Sequence, residues 1–168
     1  TMNSGLTHVT SDGRTVQMVD VSSKNATART ATAESIIVFP EEVLEAFARS
    51  ESELIGPKGP IFSTARIAGI LAAKQTSNLI PLCHPLPLEH VQIDIAWRDR
   101  TSVSISCSCR VTHKTGVEME ALTGATVSAL TVYDMVKAVS HDVVIAETRL
   151  LHKDGGKRNV DKRKKQER

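Results

Sequence analysis

The sequence predicts an α+β domain, in which an antiparallel sheet carries helices packed on one face. Segments in which every second residue is apolar indicate strands, and segments whose apolar residues recur at the helical period indicate helices. From Ser35 onward the predicted order is strand, helices, strand, strand, helix, strand. That order matches the split βαβ arrangement.

The first half of the chain supplies a strand and two helices. Residues 15–21, TVQMVDV, and 33–39, AESIIVF, have the composition of strands. A helix is predicted over 40–50, because Pro40 suits a first helical turn and the apolar residues after it recur on one face. The GPKGP segment at 56–60 ends that helix, and the Ala- and Gly-rich residues 61–80 predict the next.

The second half supplies a hairpin, a long helix and a closing strand. Residues 90–97 and 102–111 alternate between apolar and polar, so each predicts a strand with one buried face. Cys107 and Cys109 continue the apolar face of the second strand and are predicted to be core thiols. Residues 116–140 predict a helix with a wide buried stripe, and residues 142–151 predict the last strand.

Length and charge define the predicted domain organisation. The 168 residues suit one domain with its own core, which we place at residues 1–157, with a turn-rich segment over 1–30. The formal net charge of +2 conceals an uneven distribution, because residues 157–168 alone hold seven Lys or Arg and two acidic residues. Residues 158–168 are therefore predicted to be a basic, disordered tail.

Composition also narrows the classes of function. No apolar run reaches the length of a membrane span, so a membrane is not an expected partner. Three cysteines do not make a disulfide framework, which favours a reducing cytoplasm. Aromatic residues make up 3% of the chain, too few to favour base stacking, so nucleic acid is not an expected partner either.

A stiff segment, NLIPLCHPLPLEH at residues 78–90, places Cys83 beside His84 between prolines. Neighbouring side chains on an extended backbone point to opposite sides, so these two residues cannot easily form a nucleophilic pair. The remaining histidines lack the spacing of zinc ligands, and no metal site is predicted. The prolines fix the backbone, and the segment is interpreted as one side of a small-molecule pocket.

Charged residues elsewhere allow both structural and chemical interpretations. Asp134 and Lys137 are three residues apart on the long predicted helix, a spacing that suits either a structural ion pair or acid–base work. Partial burial among apolar neighbours is expected for both. Glu118 and Glu120 either complement the helix N-terminus or accept hydrogen bonds from an amide-rich ring. Lys58, in a loop, could approach a phosphate without any P-loop motif.

Three longer motifs resemble one family. KGPIFSTARIAGILAAKQTSNLIPLCHPLPL, KTGVEMEALTGATVSALTVYDMVKAV and RLLHKDGGK are similar to MoaC-type cyclic pyranopterin monophosphate synthases, and LTHV and MVDVS near the start resemble them too. The resemblance covers residues 6–157. It implies a ferredoxin-like fold and a homohexamer built from dimers, with the pocket between subunits.

The resemblance also implies a reaction. Enzymes of this family convert 3′,8-cyclo-7,8-dihydro-GTP, made by a radical partner enzyme, to cyclic pyranopterin monophosphate and release diphosphate during molybdenum cofactor biosynthesis. No cofactor is implied, and Mg²⁺ on the triphosphate stays an open alternative. Two other functions stay open: a nucleotide-binding regulatory module that does not catalyse the reaction, and a nucleic-acid-binding protein that works through the basic tail.

The family's functional positions can be carried over to this sequence one by one. The catalytic pair falls on Asp134 and Lys137. The substrate-binding positions fall on Leu82, Cys83, His84, Glu118, Met119, Glu120 and Lys58. Val136 stands where many relatives have cysteine, an apolar change that affects none of these assignments.

Overall fold

One sheet and the helices on its face make up most of the structure, a computed structural model that describes residues 15–163. The elements along the chain are β1 (Thr27–Val38), α1 (Glu41–Ala46), β2 (Ala48–Arg49), β3 (Leu54–Gly56), β4 (Gly59–Pro60), α2 (Ile61–Lys74), α3 (Thr76–Leu79), β5 (His90–Trp97), β6 (Ser102–His113), α4 (Glu118–Val136), β7 (Val144–Asp154) and β8 (Val160–Asp161).

The main sheet confirms the predicted fold class. Its five strands lie in the order β5-β6-β1-β7-β8, and every neighbouring pair is antiparallel. Strand β1 is central because it pairs with both β6 and β7 along most of its length. Two helical crossovers link β1 to β5 and β6 to β7, which gives the ferredoxin-like α+β arrangement.

The apolar alternation of β6 decides which face of the sheet is covered. Val103, Ile105, Cys107, Cys109 and Val111 are each at most 2% exposed and belong to the main core. The residues between them point to the opposite face, as the period of two requires. Both thiols are therefore core residues, as predicted, and their sulfur atoms lie 3.8 Å apart.

Small residues allow α2 and α4 to pack closely against each other. A methyl group added at Gly69 would lie 2.8 Å from the carbonyl oxygen of Gly124, and one added at Gly124 would lie 2.5 Å from Sγ of Cys107. The Ser128 hydroxyl donates to the carbonyl oxygen of Ala65 across the same contact, at 2.9 Å. The Ala- and Gly-rich composition of 61–80 thus serves helix packing.

Three predicted elements differ from the structure. Residues 15–21 form no strand, so that prediction was wrong. Helix α1 ends early, because the backbone at Phe47 is extended and the chain continues into β2. The helix predicted over 61–80 is interrupted at Gln75, so α3 is a separate turn of helix.

The fold extends further at both ends than the sequence predicts. Strand β1 begins at Thr27, inside the segment expected to be turn-rich. At the other end β8 pairs with β7, and the backbone N–H of Lys162 donates to the carbonyl oxygen of Leu151 at 2.7 Å. The boundary predicted at residue 157 therefore falls before the sheet ends. The LTHV motif at 6–9 lies outside the described residues.

Within residues 15–163, no helix combines the length and the apolar character that a membrane crossing requires.

Candidate functional site

A cavity of about 450 Å³ opens between the proline-rich loop, the start of α4 and the segment around residues 19–24. Its volume lies in the range of small-molecule sites. Six of the nine predicted site residues line it, together with two lysines that the sequence did not single out. The predicted residues are Leu82, Cys83, His84, Glu118, Met119 and Glu120, and the added lysines are Lys24 and Lys153.

The proline-rich loop is held against the domain rather than extending into solvent. The backbone N–H of Cys83 donates to the carbonyl oxygen of Ile80 at 3.1 Å, and Leu86 and Leu88 pack against the core. The loop thereby presents Leu82, Cys83 and His84 to the cavity.

Cys83 is unsuited to nucleophilic attack in these surroundings. Burial raises the pKa of its thiol, and the nearby carboxylate of Glu120 raises this pKa further. A protonated thiol is a poor nucleophile. This favours a packing or contact role for the thiol, although Cys83 and His84 line the same cavity and do not point apart as the sequence predicted.

His84 joins the loop to the segment that precedes β1. Its Nε2 donates a hydrogen bond to the carbonyl oxygen of Val19 at 2.8 Å. Nearby, Nζ of Lys114 donates to the carbonyl oxygen of Ser22, also at 2.8 Å. Residues 19–24 are thus fixed beside the cavity by side chains from two other parts of the chain.

Glu118 forms an ion pair across the cavity. Its Oε1 lies 2.6 Å from Nζ of Lys153 on β7, and both side chains are about one quarter exposed. A methyl group at Gly116 would lie 1.9 Å from the Glu118 carboxylate, so glycine leaves the space that this carboxylate occupies. Glu118 thus connects α4 to the sheet as well as lining the cavity.

Glu120 is the most buried carboxyl group of the cavity, with 4% of the residue exposed. Burial raises the pKa of Glu120 to about 7, and the negative charge of Glu118 contributes to the rise. Near neutral pH this group can therefore either donate or accept a hydrogen bond. That ability suits a purine-derived ring, which carries both donors and acceptors.

The other three predicted residues form a separate cluster at the far end of α4. Nζ of Lys137 lies 2.7 Å from Oδ1 of Asp134, and Nζ of Lys58 lies 3.6 Å from Oδ2 of the same carboxylate. The sequence predicted the first pair from its spacing. It did not predict that the 56–60 loop would bring Lys58 to Asp134.

The expected burial of this cluster is wrong for the single chain. The side chains of Asp134 and Lys137 are 56% and 47% exposed. The hydrogen bond and charge of Asp134 raise the pKa of Lys137, while Lys137, followed by Lys58, lowers the pKa of Asp134. Both groups are therefore charged at neutral pH. Lys137 is protonated, so it can donate a proton first and accept one afterwards.

The two groups of residues do not meet within one chain. Glu120 and Asp134 are fourteen residues apart on the continuous helix α4, a separation of about 21 Å along its axis. The lining of the cavity includes Glu120 and does not include Asp134.

Two cavity lysines escaped the sequence analysis, because a single lysine is usually a solvated surface charge. Lys153 lies in the RLLHKDGGK motif on β7, where burial does not alternate along the strand, so no sequence signal indicated its direction. Lys24 lies in a segment without periodicity and offered no signal. Among the described residues, no cluster of three or more His, Cys, Asp or Glu side chains could hold a metal ion.

Comparison with known proteins identifies the family. The family model described as "MoaC family" matches residues 18–156 of this chain. The chain belongs to the MoaC family.

The named relatives of this chain fall into two kinds. This chain is 51% identical over 160 residues to the cyclic pyranopterin monophosphate synthase of Xanthomonas campestris pv. campestris, and the match covers 95% of each chain. It is 52% identical to the enzyme of the same name from Xanthomonas oryzae pv. oryzae, covering 92% of each. It is also 48% identical to molybdenum cofactor biosynthesis protein 1 of Dictyostelium discoideum, of which it spans only 27%.

Proposed function

We propose that this chain is a cyclic pyranopterin monophosphate synthase, a lyase of molybdenum cofactor biosynthesis. Its reaction converts 3′,8-cyclo-7,8-dihydro-GTP to cyclic pyranopterin monophosphate and releases diphosphate. The observation that carries this proposal is the cavity, which brings together Leu82–His84 and Glu118–Glu120 from distant parts of the sequence. Full-length relatives at about 50% identity carry the same enzyme name.

The cavity residues bind and orient the ring of the substrate. Glu118 and Glu120 accept hydrogen bonds from ring N–H groups, and Glu120 in its protonated form can also donate one. Lys153 balances the charge of Glu118 and offers a cation at the cavity edge. Cys83 and Met119 contribute shape and apolar contact.

Acid–base chemistry belongs to the second cluster. Lys137, protonated in the free chain, donates and later accepts the proton that the ring rearrangement requires, and Asp134 orients its ammonium group. Lys58 neutralises the negative charge that develops as diphosphate leaves. The proposed reaction uses side chains of the protein and no cofactor. Mg²⁺, if it takes part, would bind to the triphosphate of the substrate.

A second copy of the chain completes the site in this proposal. The separation of about 21 Å within one helix prevents one protomer from offering both clusters to one substrate. A neighbouring protomer could bring its Asp134 and Lys137 to this cavity. Both clusters would then face one substrate, and the exposed ion pair would become buried. The arrangement agrees with a homohexamer built from dimers. The three free thiols suit a reducing compartment, and we place the enzyme in the cytoplasm.

Diphosphate release is the test of the proposed function. The purified chain is incubated with 3′,8-cyclo-7,8-dihydro-GTP from a radical partner enzyme, and diphosphate and cyclic pyranopterin monophosphate are quantified. The proposal expects both products in equal amounts. Tight substrate binding without diphosphate would instead support the regulatory module and overturn the enzyme assignment.

A further inference from the structure

Lys58 reaches Asp134 from a very short hairpin. Strands β3 and β4 pair through only two positions, Ile55 with Pro60 and Gly56 with Gly59. The turn relies on Gly59, whose φ of 101° strongly favours glycine. Such a small ladder does little by itself to fix where the tip points. The position of the Lys58 side chain therefore depends on what holds the base of this hairpin.

Glu53 joins the two ends of the hairpin. Its Oε1 accepts hydrogen bonds from the backbone N–H groups of Leu54, at 2.9 Å, and Phe62, at 2.6 Å. Its Oε2 accepts from the backbone N–H of Ser63, at 3.0 Å, and from the Ser63 hydroxyl, at 2.6 Å. One carboxylate thus connects the residue that enters β3 to the residues that follow β4.

The start of α2 explains why a carboxylate fits at this place. The capping residue of α2 is Pro60, which forms no side-chain cap, so the first N–H groups of the helix need acceptors from elsewhere. Negative charge is favourable at a helix N-terminus. Burial alone would raise the pKa of Glu53, but the hydrogen bonds from Ser63, Leu54 and Phe62 outweigh it and lower the pKa.

The opposite side of the hairpin packs against Phe47, the residue that follows α1. A methyl group at Gly56 would lie 2.0 Å from the ring of Phe47, which is 6% exposed and part of the core. The hairpin is therefore fixed at its base by Glu53 and against the ring by Gly56. These contacts leave Lys58 at the tip, with its ammonium group 3.6 Å from Asp134.

We propose that Glu53 is a positioning residue for the reaction: it fixes the Lys58 hairpin to the start of α2 and thereby holds the Lys58 ammonium group beside Asp134. The inference rests on the proposed function for its consequence in turnover. The structural claim, that Glu53 holds Lys58 beside Asp134, is independent of that function.

Kinetics of Glu53→Gln provide the first test. Glutamine keeps the size of the side chain but turns one acceptor oxygen into a donor, so at least one of the four hydrogen bonds at the base is lost. We expect kcat for diphosphate release to fall about ten- to a hundredfold, as misplacement of a catalytic group does, while KM changes little. Ser63→Ala removes only the 2.6 Å bond from the Ser63 hydroxyl to Glu53, so its kcat should lie between that of Glu53→Gln and that of the parent.

Glu42→Gln is the matched control. Glu42 also accepts a serine hydroxyl bond, from Ser140 at 2.8 Å, but on α1 and away from the hairpin. Its substitution should lower the melting temperature without lowering kcat. In a Lys58→Met background, Glu53→Gln should cause no further loss of kcat, because its effect passes through Lys58. Additive losses in the double variant would overturn the inference.

Carboxyl titration by NMR separates this inference from the proposed function. Lys137 and then Lys58 lower the pKa of Asp134, so Lys58→Met should raise that pKa. Glu53→Gln should raise it in the same direction, and Glu42→Gln should not. An unchanged Asp134 titration in Glu53→Gln refutes the positioning role, whereas absence of diphosphate release by the parent chain refutes the proposed function only.

Discussion

Glu118 and Glu120 lie two residues apart at the start of α4, yet their carboxyl groups meet different surroundings. Glu118 pairs with Lys153 at 2.6 Å. Glu120 is 4% exposed, and burial raises its pKa to about 7. The spacing of two carboxylates in a sequence does not distinguish these cases, because the difference comes from a lysine on β7 and from the depth of the cavity.

The raised pKa of Glu120 predicts a pH-dependent cost to stability. A carboxyl group whose pKa is higher in the folded than in the unfolded chain favours folding below its unfolded value, 4.5, and loses that contribution as the pH rises through about 7. Glu120→Gln, which stays neutral, should therefore melt higher than the parent at pH 8.5, by about 3 °C or more. The two should converge near pH 5. Equal melting temperatures at pH 8.5 would contradict the buried carboxyl group.

Lys137→Ala tests the acid–base assignment at the same scale. We expect kcat to fall by about 100- to 10,000-fold, the usual contribution of a positioned proton donor, while calorimetry still detects substrate binding. The ion pair with Asp134 is half-exposed, so its loss should affect stability little. Lys162→Ala, at an exposed lysine after β8, is the control and should keep parental kcat. Near-normal turnover by Lys137→Ala would exclude this role.

At the scale of elements, α4 organises the molecule. It packs on α2, covers β1 and β6, and carries one half of the candidate site at each end. Its close approach to α2 depends on Gly69 and Gly124 rather than on large apolar side chains. Since α2 also begins beside Glu53 and the Lys58 hairpin, the contact between these helices sets the distance between Lys58 and Asp134.

Gly69→Ala should therefore destabilise the fold, although alanine is the better helix former. The added methyl group would lie 2.8 Å from the backbone carbonyl of Gly124, which cannot rotate away as a side chain could. We expect a loss of about 1 to 3 kcal/mol in the free energy of unfolding, measured by urea denaturation. Lys74→Ala, exposed on the same helix, should change it by less than about 0.5 kcal/mol. A more stable Gly69→Ala variant would show that the helices can separate without cost.

At the scale of the whole molecule, the distance between the cavity and the charged cluster limits how both could act on one substrate. One chain offers a cavity at the start of α4 and a charged cluster at its end. The proposed assembly, in which copies meet at these surfaces, would present both to one substrate. The exposed Asp134–Lys137 pair and the open cavity are what such an assembly would cover.

Complementation between two inactive variants tests this shared site. One variant carries Glu118→Ala with Glu120→Ala, and the other carries Lys137→Ala. If each site takes its cavity from one copy and its charged cluster from another, random mixing by co-expression should restore about a quarter of the parental activity. If one chain forms the whole site, mixed assemblies should stay inactive. Each variant expressed alone is the control.

Local pattern was enough for much of the fold. The alternation in β5 and β6 and the apolar stripe of α4 were predicted from the residues, because burial imposes a period on regular elements. Prediction was wrong for residues 15–21 and for the ends of the helices at 40–50 and 61–80. The first of these segments is held by a contact distant in sequence, the bond from His84 to Val19.

The sequence by itself determined the α+β class, the core thiols, the stiff loop at Cys83 and His84, and the pairing of Asp134 with Lys137, because each depends on neighbouring residues. The tertiary structure decided the rest: Lys58 beside Asp134, Lys153 beside Glu118, Glu53 at the start of α2, and about 21 Å between the two clusters. These are distances between segments far apart along the chain. They follow from the order of strands in the sheet and from the length of α4, which no local pattern contains.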